Sequence, residues 1–111
     1  MIEITVRKYL ERKLLIPVYM EFPPDPPARF VVLRKADSSR ENMLDSSMLV
    51  ADSYAESLLE TAKLNEQVKS ALDLLIELNE VSRSTRGGDY PFFDTKNNRY
   101  RYQAVQNVTH Y

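Results

Sequence analysis

The sequence has no cysteine and only one histidine, His110. Without thiols it can hold neither a disulfide framework nor a thiolate metal site, and one imidazole cannot build a zinc centre alone. No acidic loop with the spacing that binds Ca²⁺ or Mg²⁺ takes their place. A charge excess is also missing, since 15 basic against 16 acidic side chains leave a net charge of −1. That balance gives no electrostatic footprint for nucleic acid or for an anionic membrane. The longest apolar run, Leu14 to Val18, falls far short of the roughly 20 residues of a spanning helix. The first residues lack the basic region and apolar stretch of a signal peptide. These absences predict a soluble protein made in the cytoplasm, with no membrane partner and no cofactor.

What is present fits one ordinary globular domain spanning residues 1–111, with 43% apolar and 28% charged residues. Apolar positions at Ile2, Val6, Tyr9, Leu10 and Leu14 recur at helical spacing, and Pro17 is expected to close that helix. Residues 17–22 alternate as a strand. The prolines of 23–27 form a stiff, extended connection, and residues 29–36 combine β-branched and aromatic side chains. The two strands are expected to form a hairpin-like pair. After a polar turn at 37–42, Leu44 to Tyr54 alternate as a third strand, although Met, Leu and Ala leave a helix as the competing reading.

Helix formers dominate from Glu56 to Leu78. Their apolar stripe changes near Leu64-Asn65, and Asn65 is a good N-cap, so a break is expected there. A short polar strand at 82–86 is expected to end at Gly87-Gly88. A mobile aromatic loop over 89–98 then leads to a last strand over 100–111. The order α-β-β-β-α-β-β predicts an α+β fold: a mixed, largely antiparallel sheet of about five strands with helices packed on one face.

The chain is poor in catalytic signals. His110 has no carboxylate or hydroxyl at a diagnostic spacing and reads as a surface histidine at a strand end. Asp45/Ser47 and Asp52/Ser53 lack a nucleophile-elbow pattern, and Gly87-Gly88 lacks the lysine and helix start of a phosphate loop. Arginines 83, 86, 99 and 101 interleave with tyrosines 90, 100 and 102. Such mixtures bind single-stranded nucleic acid by stacking, but they are also enriched at protein interfaces, and the neutral total charge favours the second use. Arg83, Arg86, Tyr90, Phe92 and Phe93 are therefore the candidate interface residues. Phe92 and Phe93 are either anchors for a partner or a plug folded back on the core.

The order and spacing of three stretches carry a resemblance. "VYMEFPPDPPARFVVL" (18–33), "SYAESLLETAKLNEQVKSAL" (53–72) and "TKNNRYRYQAVQNVTHY" (95–111) together resemble the tail terminator, or tail completion, proteins of long-tailed bacteriophages and prophages of Gram-positive bacteria. "SRSTRGGDYPFFD" (82–94) departs from that pattern except at the aspartate-tyrosine and the aromatics after it. The resemblance implies a structural virion protein, not an enzyme. It implies a ring, commonly a hexamer, that stops tube growth at the head-proximal end of the tail and joins the head. The implied partners are other copies of the chain, the tail tube protein and the head connector or head completion protein, with genomic DNA only as passing cargo. The implied location is the neck of the virion, after assembly in the host cytoplasm. A head–tail connector protein and a single-stranded nucleic-acid module stand as alternatives.

Overall fold

A computed structural model describes residues 1–111. The first helix, α1 (Ile2–Leu14), buries Ile2, Val6, Tyr9 and Leu10 on one face, as their spacing requires. It stops before Pro17 is reached. Leu15 turns into the left-handed region at φ 58°, and its N–H closes the helix on the Glu11 carbonyl.

A five-stranded sheet follows, in spatial order β1 (Val18–Tyr19), β2 (Phe30–Glu41), β3 (Leu44–Tyr54), β5 (Arg101–His110) and β4 (Val81–Pro91). All pairs are antiparallel except β1 with β2. Helices α1 and α2 (Leu58–Asp73) cover one face, so the α+β class and the element order agree with the sequence reading. The main core joins Val6 and Leu10 of α1, Leu64, Val68 and Leu72 of α2, and the inward side chains Val31, Leu33, Leu49 and Val108 of the sheet.

Four expectations change. The first is the hairpin of β1 and β2. β1 has only two residues and runs parallel to β2, because the proline-rich chain from residue 20 to 29 passes along the helix-free face instead of turning back. There Phe22 meets Phe30 and Tyr54 edge-on, and Phe30 stacks on Tyr54 at 4.6 Å between ring centroids. β2 is thus buried on both faces over Phe30–Leu33, with alternate side chains entering the two clusters.

The second is the polar turn at 37–42. Residues 37–41 are strand, and the turn is only Asn42-Met43, both at positive φ (52° and 69°), as a two-residue hairpin requires. The segment is polar because both its faces are exposed, not because it turns.

The third is the break at Asn65. α2 runs straight through it, capped at Ser57, whose hydroxyl accepts from the Glu60 N–H. Thr61, Leu64, Asn65, Val68, Ala71 and Leu72 form one continuous buried stripe. The apparent separate stripe ahead of Asn65 rested on Leu58, Leu59 and Ala62, and both of these leucines are exposed. The real change lies further on, where Leu74–Glu77 tighten into a single 3-10 turn.

The fourth is the strand end at Gly87-Gly88. β4 passes through both glycines and absorbs one of them as a bulge between Arg86 and Gly88. Gly87 lies so close to β5 that a Cβ would sit 2.8 Å from Val105 Cγ1, and Gly88 has φ 119°. The strand thus continues through residues 89–91 of the expected mobile loop, and the connection to β5 is reduced to 92–100.

Candidate assembly edge

The five candidate residues fall on one structural feature. Arg83, Arg86 and Tyr90 belong to β4, and Phe92 and Phe93 follow it directly. β4 is the outermost strand on its side of the sheet and pairs only with β5. Nearly all of its residues are exposed, as expected for an edge with solvent on one face and the end of α2 on the other.

The two arginines differ in their surroundings. Arg86 points to the helix side and grips Asp73, with Nη2 at 2.7 Å and Nε at 2.9 Å from Oδ2. This grip, with help from Gln106, holds the Asp73 carboxyl below its usual range. Arg86 thus fastens β4 to α2 and is already engaged within the chain. Next to it, Asp89 receives Lys69 Nζ at 3.0 Å and Asn65 Nδ2 at 2.8 Å. Arg83 faces the helix-free side, where it lines a shallow groove with Asp37, Ser46, Thr85 and Asn107. It forms no ion pair.

The aromatic residues stand at the far end of the edge. Tyr90, Phe92 and Phe93 are 47%, 49% and 46% exposed, so none is a core plug. Tyr90 and Phe92 meet edge-on at 6.1 Å, and Arg101 lies over the Phe92 ring at 4.5 Å. Phe93 packs edge-on against exposed Tyr100 at 5.5 Å. Tyr100 and Arg101 therefore belong to this patch. Their place in the Arg/Tyr interleaving pointed to them, but only the short loop brings them beside the two phenylalanines.

Two buried carboxylates hold the patch in place. The Tyr90 hydroxyl donates to Gln103 Oε1, and Gln103 Nε2 donates to Asp52 Oδ1 at 3.0 Å. Burial raises the Asp52 carboxyl above its usual range despite Arg34 and Arg101 nearby. Asp94 accepts the Tyr54 hydroxyl at 2.9 Å and two bonds from Asn97, at 3.2 and 2.8 Å. Burial pushes the Asp94 carboxyl up, but the Asn97 and Tyr54 donors and Arg101 outweigh it and leave the group below its usual range. Burial and the bond to Asp94 push the Tyr54 hydroxyl up to about 12. Asp94 and Asn97, three residues apart, are the sequence mark of a side-chain-stabilised turn that a reading centred on Gly and Pro overlooks.

His110 corrects another expectation. It is buried at the end of β5, with Nε2 2.9 Å from Ser47 Oγ and Nδ1 3.4 Å from the Tyr111 carbonyl. Asp45 and Val81 are its cross-strand neighbours on the two sides. The sequence separation of 63 residues between Ser47 and His110 hid the contact. No group of three metal-ligating side chains converges in the chain. No helix is long and apolar enough to cross a membrane.

No protein-family model matches the chain, and no curated protein matches it.

Proposed function

We propose that this chain is a structural assembly protein, not an enzyme, which rings the head-proximal end of a phage tail tube. In this reading it halts tube polymerisation and presents the surface that joins the head. The observation that carries the reading is the gathering of all five candidate residues on a single free sheet edge, ending in a half-exposed aromatic patch. Exposed strand edges invite pairing, and exposed aromatics clustered beside arginine are typical anchors of protein interfaces. The sequence resemblance gives the assembly its type. Its partners are other copies of the chain, the tail tube protein and the head connector or head completion protein. DNA passes through only as cargo, and the site of action is the virion neck.

Tail tube protein polymerised with and without this chain tests the reading. Negative-stain images should show tubes of limited length carrying extra density at one end. Tubes of unlimited length with bare ends at saturating protein would overturn it. Density on the head side alone would favour a connector. The nucleic-acid alternative has less support, because Arg101 is turned inward to the Phe92 carbonyl and Asp94. A filter-binding assay with single-stranded oligonucleotide at low and moderate salt should give no retention.

A further inference from the structure

The sheet has a second free edge. β1 covers only Val31 and Val32 of β2, so the outer side of β2 is unpaired from Leu33 to Glu41. The two free edges match in direction. β2 runs antiparallel to β3, β3 to β5, and β5 to β4, so β4 runs opposite to β2. A β4 laid beside β2 of another copy therefore continues the antiparallel alternation, with the helices of both copies on the same side.

They match in length as well. Bulges interrupt β4 near Ser82 and Gly87, leaving Arg83–Arg86 as its regular stretch. A bulge near Ala36 leaves Asp37–Glu41 as the regular stretch of β2. Pairing Arg83 with Glu41, Ser84 with Arg40, Thr85 with Ser39 and Arg86 with Ser38 uses β4's stretch in full and brings the inner bulges of the two strands close together. In this register the faces agree. Arg83 and Thr85 share the helix-free side with Ser39 and Glu41, as the rows across β3 and β5 establish.

Charge then decides the register. Arg83 and Glu41 form no ion pair within the chain, and this arrangement sets them directly opposite each other. It also carries the Tyr90–Pro91 end of β4, with Phe92 after it, toward the neighbour's β1 and the exposed Met20 that follows β1. β1 blocks further pairing at that end, and the bulges keep either edge from accepting an arbitrary strand.

We infer that copies of this chain join head to tail by antiparallel pairing of Arg83–Arg86 of one copy with Ser38–Glu41 of the next. The inference rests on the assembly reading above only in taking the partner to be another copy. The contact is heterologous, so repetition closes a ring when the rotation per copy permits.

The absence of native cysteine makes the test clean. A Thr85→Cys, Ser39→Cys double variant, mildly oxidised at high concentration and on tail tubes, should give a ladder of covalent multimers, while each single variant stops at dimer. Arg83→Glu should weaken self-association in sedimentation roughly tenfold, and adding Glu41→Arg should restore it. All four side chains are exposed, so melting temperatures should stay near the parent's. Multimers or tube caps that form without the ladder and ignore the charge reversal would overturn the edge pairing and leave the tube-end reading standing. A ladder from a protein that does not cap tubes would uphold the pairing and overturn that reading. A chain that never associates with itself, alone or on tubes, overturns both.

Discussion

His110 Nε2 lies 2.9 Å from Ser47 Oγ, in a buried contact that ties the end of β5 to the first part of β3. A buried imidazole left without one partner costs free energy even where the lost hydrogen bond itself is worth little. Ser47→Ala should therefore destabilise the fold by about 1–3 kcal/mol. Urea denaturation should show a lower midpoint with an unchanged slope. An unchanged midpoint would mean that the Tyr111 carbonyl alone satisfies the ring.

Replacing Phe92 and Phe93 together by Ser separates anchor from support. Truncating a buried Phe costs roughly 3–5 kcal/mol, and these two rings are about half-exposed. The double variant should melt close to the parent and lose tube capping. A fall in melting temperature of the size expected for a core truncation would show that the patch supports the fold.

The two glycines of β4 should fail differently. Gly87→Ala puts a methyl group 2.8 Å from Val105 Cγ1, an overpacking that costs about 1–3 kcal/mol. Val105→Ala should recover part of that loss. Gly88→Ala meets no atom but must hold φ at 119°, which costs a side chain on the order of 1–3 kcal/mol. Val105→Ala should do nothing for it. A double-mutant cycle reads the difference as coupling in one case and additivity in the other.

Asp52 should make stability fall as pH rises. Its folded-state pKa is raised by burial, so the fold favours the protonated carboxyl. That contribution is full below the unfolded value of about 3.9 and is lost as pH climbs toward the folded value. Asp52→Asn removes this dependence and can still accept from Gln103 through its amide oxygen. The variant should gain on the parent as pH rises above about 4, with melting curves at pH 3.5 and 7 as the measurement. A variant less stable than the parent at pH 7 would mean that Arg34 and Arg101 outweigh the burial.

The reach of the sequence depends on distance along the chain. α1 and β3 follow from local periodicity, and both have the bounds that their apolar spacing implies. The β1–β2 hairpin did not follow, because the choice between turning back and crossing the sheet is made by Phe22 finding Phe30 and Tyr54. Asn65 misled for a related reason. Its capping chemistry is local, whereas its actual partner, Asp89, is 24 residues away. Arg83, Arg86, Tyr90, Phe92 and Phe93 could be chosen from residue type alone. That they share an edge required Gly87 to fit under Val105, a contact that composition does not encode.

The stacked rings of Phe30 and Tyr54 bind together two connections that are remote in sequence. Tyr54 donates to Asp94 in the second connection, Phe22 of the first packs on both rings, and Arg99 sits over Phe30 while bonding the carbonyls of Pro27 and Ala28. Residues 20–29 and 92–100 are thus a single cooperative unit for local opening, distinct from the helix-covered core. Their amide protons should exchange with one common free energy. Tyr54→Phe should lower that energy in both segments at once and leave the amides of α2 at their parental rates.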